Sequence, residues 1–295
     1  MKKIGNYKNG NYSVEIFDNG TKIRETNEDV FIASFPENID VKITNYCDMN
    51  CPMCHEGSTT EGEHGDILNA KFIDSLNPYT ELALGGGNPL SHPDIVEFLI
   101  KCKNRRIITN MTVNQVHFMK NIELIDKLMR SRLIHGLGVS LTNAYDKEFV
   151  DTIKRYPNIV IHIISGMVTR DELKQLYNNN FKILILGYKQ FRRGIENYDK
   201  NSLTIESHKN DLYNDLAELT NYFKVISFDN LAIEQLKVKR IMSEEYWNSF
   251  YMGDDGKYTM YIDLVKNKFA KNSISKDRFD LLDDIKDIFE VVLKL

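Results

Sequence analysis

Apolar residues recur along this chain in two alternating rhythms. Short runs rich in Ile, Val and Leu lie near 40–44, 80–84, 106–110, 136–141, 159–164 and 181–187, the pattern of buried strands. Each is followed by a stretch with helical periodicity, such as Asn121 to Arg130. Six strand-then-helix units predict an α/β fold, a parallel sheet with helices outside it. Ahead of them, residues 11–33 read as a hairpin: Tyr12 to Phe17 alternates, Asp18-Asn19-Gly20 turns, and a return strand follows. After them, Lys224 to Phe228 reads as a short strand and the stretch to Leu236 as a helix, with Asp229 or Asn230 as its N-cap. Ser249 to Asp263, around Gly253-Asp254-Asp255-Gly256, reads as a second hairpin.

Composition fits one compact unit. The chain has 295 residues, 42% of them hydrophobic, and no Pro/Gly/Ser-rich linker, repeat or low-complexity segment, so a large core can be buried. No 18-residue apolar run predicts a membrane span. Met1-Lys2-Lys3 is basic but no apolar segment follows it, so no signal peptide is expected, and reduced thiols point to the cytoplasm. A net charge of −4 with both signs interspersed argues against a nucleic-acid surface. Lys103, Arg105 and Arg106, and the pair Arg192 and Arg193, are expected to be solvated faces or helix ends.

Chemistry enters with Cys47, Cys51 and Cys54, three of the four cysteines. Their spacing puts three thiolates into one loop, whereas Cys102 lies far away. A cubane [4Fe-4S] cluster normally takes four thiolates, so three leave one iron without a protein ligand. With His55, the same cysteines also form a Cys3His set open to zinc, although adjacent Cys54 and His55 would wrap awkwardly onto one tetrahedral ion.

The segment Cys47-Asp48-Met49-Asn50-Cys51-Pro52-Met53-Cys54 resembles the cluster loop of the radical S-adenosylmethionine (radical SAM) enzymes. The resemblance implies one oxygen-sensitive [4Fe-4S] cluster on Cys47, Cys51 and Cys54, with S-adenosylmethionine on the open iron. Reductive cleavage would then give a 5′-deoxyadenosyl radical that abstracts hydrogen from a substrate. It also implies a partial (β/α)6 TIM-type barrel over residues 38–230, flanked by an N-terminal hairpin extension, 1–37, and a C-terminal hairpin and helix extension, 231–295. Flavodoxin or ferredoxin is the implied type of electron donor.

A second motif, Leu82-Ala83-Leu84-Gly85-Gly86-Gly87-Asn88-Pro89, reads as a strand, a tight glycine loop and a helix beginning near Pro93. Taken alone it is a turn. One strand and one helix after the cysteine loop, it resembles the Gly-Gly-Glu-Pro loop that holds the methionyl amino group, with Asn88 in place of the glutamate. Met53 stands where the family most often has an aromatic residue. The resemblance thus implies cofactor contacts at Met53, Gly86, Gly87 and Asn88, with Asn110 closing strand three and Ser140 near the end of strand four. Each of those last two is equally well read as a buried polar group satisfied by backbone.

Other positions stay two-sided. Lys189, after strand six, is a surface ammonium or faces substrate. Asp229 caps its helix or serves the barrel mouth. His162, inside an apolar strand, is expected to be a hydrogen-bonded core residue. No catalytic side chain is identified. The C-terminal hairpin tilts the substrate expectation toward a peptide or protein over a small molecule, nucleoside or carbohydrate, and the lack of cysteines there implies no auxiliary cluster. A zinc-stabilised, non-catalytic module is the reading of a different class.

Overall fold

The computed structural model describes residues 1–295. At the N-terminus β1 (Lys3–Asn9), β2 (Tyr12–Phe17) and β3 (Lys22–Glu25) form an antiparallel sheet. The expected hairpin is β2 and β3. Its neighbour β1 was not expected, because Gly5-Asn6-Tyr7-Lys8-Asn9 shows no apolar alternation and becomes a strand only by pairing with β2.

The large sheet contains β4 (Asn38–Thr44), β5 (Glu81–Gly86), β6 (Ile108–Asn114), β7 (Gly136–Ser140), β8 (Ile159–Ile164), β9 (Lys182–Leu186) and β10 (Val225–Phe228). They pair in sequence order and all in parallel. The six expected units are therefore present, and β10 is the expected seventh short strand. One boundary moves with consequence: strand three runs to Asn114, so Asn110 is its third residue rather than its end.

Burial alternates along the core strands. Leu84, Val113, Val139, Ile161 and Ile185 are buried on the helix-covered face, each contributing about 1.5–3 kcal/mol. Ala83, Asn110, Thr112, Ser140 and His162 on the other face are only half-buried. Fully covered parallel strands read as continuous apolar runs, so the half-buried face lines an open trough.

The C-terminal hairpin is a correction. Ser243 accepts the Tyr246 amide proton and starts a helix at Glu244–Phe250 that takes up Ser249 and Phe250, and residues 251–258 form no strand, so the first hairpin arm is absent. The apolar stretch becomes β11 (Thr259–Asp263), which pairs in parallel with β4. The hairpin in this region is instead β11 with β12 (Lys268–Ala270), and β13 (Phe279–Asp280) adds to β12. Alternation made a strand of Thr259 to Asp263, but a free edge on β4 chose its partner.

The sheet runs β10-β9-β8-β7-β6-β5-β4-β11-β12-β13. Residues beyond β10 and β9 nevertheless touch residues around β11 and β12: Asn230 Nδ2 donates to Asp255 Oδ1 at 2.6 Å, and Lys189 Nζ to Ser273 Oγ at 3.0 Å. The sheet is thus curled, with side chains rather than ladder bonds joining its two sides, which makes it an open, barrel-like trough.

Candidate cluster and cofactor site

Cys47 follows β4, at the C-terminal end of the parallel strands, where open α/β sheets place ligands. Backbone bonds hold that stretch on both sides. Asn45 N donates to Glu63 O at 2.8 Å and Cys47 N to Thr59 O at 2.8 Å, while Gly87 N donates to Thr44 O at 2.8 Å and Asn88 N to Tyr46 O at 2.7 Å. The glycine loop is therefore stitched to the cysteine loop. This explains two of its glycines: a Cβ on Gly86 would stand 2.3 Å from Thr44 O, and one on Gly87 2.1 Å from Tyr46 O. Gly86 also has φ +108°, a left-handed value that disfavours side chains. A Cβ on Gly85, by contrast, would meet nothing within 4 Å.

Cys47, Cys51 and Cys54 are half-buried and share one loop, with Cys54 N donating to Cys51 O at 3.2 Å. Burial, then the neighbouring Cys54 and Cys47, raises the Cys51 thiol above its ordinary pKa, and Arg193 opposes them. Cys47 is raised chiefly by burial too. Thiolates crowded into one loop are stabilised together by metal cations, whose binding requires their deprotonation. A tetrahedral zinc site sets sulfur ligands about 3.8 Å apart, from Zn–S of about 2.3 Å. No three donors among Cys47, Cys51, Cys54 and His55 lie within 4.8 Å of one another. That spread leaves room for a multi-iron cluster and does not suit one zinc ion. The His55 ring instead lies 3.5 Å from Glu56, and burial, then Lys189, drives it down to about 3. Cys102 is buried in the helix Ile95–Asn104, its thiol pushed up to about 12 by burial.

Arg192 and Arg193 stand at a helix end, as one half of the expectation had it, but are half-buried rather than a solvated face. Arg193 donates to Cys51 O at 3.1 Å and Ser58 O at 2.9 Å. Arg192 donates to Glu56 O, and its guanidinium lies 3.6 Å from the Glu56 carboxylate. Arg192 adopts φ +49°, a strained value that persists where surrounding contacts fix it. Gly194 follows at the start of the long helix Arg193–Leu219, where a Cβ would meet Lys189 O at 2.2 Å and Met53 O at 3.6 Å. Met53 thus sits half-buried beside that helix start.

Beneath the loop, Glu56 reaches down to Lys42 on β4 at 2.9 Å and accepts from Tyr261 on β11 at 3.1 Å. Lys42 is only 1% exposed, and a buried ammonium persists only when paired. Burial pushes Glu56 up, but His55, Lys42 and Arg192 together outweigh it and leave it at about 2. On the other flank His117, buried on the helix after β6, contacts Asp48 Oδ1 at 2.5 Å, and both lie beside Cys47. None of these braces was legible in the sequence, because each partner is remote along the chain.

The remaining candidates separate. Asn88 is buried and its Oδ1 caps the short turn Pro89–Ser91 by accepting from Leu90 N at 3.2 Å. Ser140 ends β7 in register between Asn114 and His162. Asn110 lies lower in the trough wall, its Oδ1 filling the space a Cβ on Gly136 would take at 2.9 Å. His162 is not a hydrogen-bonded core residue: it faces the trough over Gly138, whose missing side chain leaves room for the ring, and burial lowers it to about 4. Asp229 accepts from Ala232 N at 2.8 Å and Gly187 N at 2.9 Å, so it caps its helix and ties it to the end of β9. Lys189 is half-buried at the mouth rather than a surface ammonium.

Comparison with known proteins adds family to geometry. The sequence profile of the radical SAM superfamily matches residues 41–175. No curated protein matches the chain in sequence. Among solved structures, Streptococcus suis SuiB bound to precursor peptide SuiA superposes with a TM-score of 0.58 at 16% identity over 88% of this chain. SuiB bound to S-adenosylmethionine gives 0.55 at 15% over 88%. Native anSMEcpe with bound AdoMet gives 0.52 at 12%, over 87% of this chain and 80% of that one. The chain spans 65% and 64% of the two SuiB chains, and these likenesses show a shared fold. The matched profile spans the three-cysteine loop and identifies a radical SAM domain at residues 41–175, a family whose cofactors are a [4Fe-4S] cluster and S-adenosylmethionine.

Proposed function

We propose that the enzyme acts on a peptide or protein, with Cys47, Cys51 and Cys54 holding the cluster at the mouth of the trough. The observation that carries the substrate class is the likeness to SuiB in complex with precursor peptide SuiA. The hairpin around Gly253 to Gly256 no longer supports it, since that segment is a loop. When bound, the cofactor pair supplies reductive cleavage of S-adenosylmethionine to methionine and a hydrogen-abstracting 5′-deoxyadenosyl radical.

The chain's own residues orient and enclose. Arg192, Arg193, Glu56 and His117 fix the cysteine loop, so thiol positions are set before the cluster arrives. The Gly87 and Asn88 amides are already committed to Thr44 O and Tyr46 O, and Asn88 Oδ1 to Leu90 N. The Asn88 side-chain nitrogen is therefore the uncommitted donor, suited to the methionyl carboxylate. Gly86 and Gly87 shape the methionyl side by letting the two loops meet. Ser140, at a strand end, takes the ribose side, and the Met53 thioether a polarisable contact with adenine. Asn110, below the strand ends, belongs to the substrate trough. Four free cysteines suit a reducing compartment such as the cytoplasm, with a flavodoxin or ferredoxin as electron donor.

Anaerobic, iron- and sulfide-loaded protein with dithionite should release 5′-deoxyadenosine and methionine slowly, and faster with substrate. Extract from cells lacking the gene, split into peptide and small-molecule fractions, tests the class. Acceleration by the peptide fraction supports the proposal. Acceleration by small molecules alone moves the substrate to the second class.

A further inference from the structure

The trough contains a carboxylate that nothing in the chain pairs. Asp40 lies on β4 between Tyr261 of β11 and Ala83 of β5 in register, and Ala83 is next to Asn110. Its carboxylate is open to the trough yet walled in by the surrounding chain, and burial raises its pKa to about 6.

The charges that reach it are Lys189, Asp255, Asp229 and Glu56, and each has its own partners. Lys189 donates to Ser273. Asp255 accepts from Asn230 at 2.6 Å and from Asn272 at 2.8 Å. Asp229 takes two backbone amides, and Glu56 is held by Lys42, Tyr261 and Arg192. Asp40 has charges in range but no hydrogen bond or ion pair. Open to the trough, the carboxylate is solvated by water until a ligand displaces that water, and three of the four charges around it are negative.

Space exists for a partner. Ala83 and Gly85 on β5 put little or nothing on the trough wall beside β4, and Gly85 faces open room, whereas the spaces over Gly136 and Gly138 are taken by Asn110 and His162. A pocket of small residues with a few convergent polar groups is the usual form of a ligand site.

We infer that Asp40 is the specificity-determining carboxylate of the substrate trough and receives an alkylammonium or guanidinium group, such as a lysine or arginine side chain of a peptide. This rests on the radical SAM reading of the trough. Such a cation satisfies the carboxylate, offsets the surrounding acidic groups and fits the open room over Gly85. A neutral or anionic side chain that displaced its water would leave Asp40 unanswered, which gives discrimination by the group left unmet in the complex rather than by shape.

The test uses cluster-loaded, oxidised, S-adenosylmethionine-saturated enzyme and four probes of similar size: n-butylammonium, n-butylguanidinium, butyramide and butyrate. Ligand-observed NMR should show both cations binding at least about tenfold tighter than butyramide, the scale of a charged hydrogen bond. Asp40→Asn should remove that preference and Asp40→Glu retain part of it. The wild-type comparison needs no variant to fold. Equal binding of cations and butyramide, preferred binding of butyrate, or an undiminished preference in folded Asp40→Asn would overturn the inference; equal binding would mean that Lys189 swings across to pair with Asp40. If wild-type protein takes up iron and makes 5′-deoxyadenosine but shows no cation preference, only the role of Asp40 fails. If it takes up no iron and makes none, the underlying reading fails.

Discussion

Strand β4 carries a polar cluster at each end, and the two are built oppositely. Just before it, Glu37 accepts from Arg24 Nε at 2.9 Å, Arg24 Nη2 at 2.6 Å and Tyr12 Oη at 2.6 Å, with Tyr7 and Lys22 beyond. Burial raises Glu37, but the Arg24 hydrogen bonds and the charges of Lys22 and Arg24 outweigh it and hold its pKa below the ordinary value. Just after the strand, three thiols share a loop whose braces reach its carbonyls and Glu56, not its sulfurs. One end is satisfied by the protein itself and ties the N-terminal sheet to the core. The other is braced in shape but left unsatisfied in charge, which is the condition for holding a metal cluster.

Removing the unsatisfied groups should have the largest effect on metal and a small one on fold. Replacing Cys47, Cys51 and Cys54 together by alanine should abolish cluster iron, whereas Cys102→Ala should retain it at about four irons per chain. Iron assay after anaerobic loading decides this. A triple variant still holding a full complement would dissolve the contrast.

At the satisfied end the expected pattern reverses. Glu37→Ala strands Arg24 and Tyr12 in a buried site and should cost about 3–5 kcal/mol, measured by urea unfolding, with iron content of the folded fraction unchanged.

Neighbouring glycines sharpen the contrast at the cofactor end. Gly86→Ala forces a side chain against Thr44 O at positive φ and should cost about 1–3 kcal/mol, distorting the cysteine loop. Gly85→Ala meets open space and should change stability by less than about 0.5 kcal/mol. Any loss of S-adenosylmethionine binding in Gly85→Ala would then report the cofactor directly, by titration of cluster-loaded protein.

The smallest effect is one of pH. Because folding lowers the Glu37 pKa from its ordinary value of 4.5, its ionised form contributes stability that is present above that value. It is lost as pH falls through the lower, folded-state value. The stability gap between wild type and Glu37→Gln should therefore be constant near neutrality and narrow on acidification below about pH 4.5. Urea midpoints from pH 7 to pH 3 measure it, and a gap that widens in acid would reverse the assignment.

Much of this was legible from spacing. The run at 159–164 became β8, that at 136–141 became β7, and the Asn121 to Arg130 periodicity became the helix Ile122–Arg130, because strand and helix periods are local properties. The pairing of β1 with β2, the extension of β6 to Asn114 and the choice of β4 as partner for β11 were not legible. Each depends on which edge is free and what covers it. His162 misled for a related reason: its strand is apolar on both sides, and only Gly138 on the neighbouring strand shows that its ring faces a space.

The sequence by itself determined the order of strands and helices, the three thiols in one loop and the glycine turn that meets them. These are contiguous features, fixed by short-range spacing and residue chemistry. Tertiary structure alone decided that Arg193 braces Cys51 across 142 residues, that Glu56 lands on Lys42 and Tyr261, and that Asp40 is left without a partner. Charge pairing depends on distance and burial in three dimensions, and neither can be read from separation along the chain.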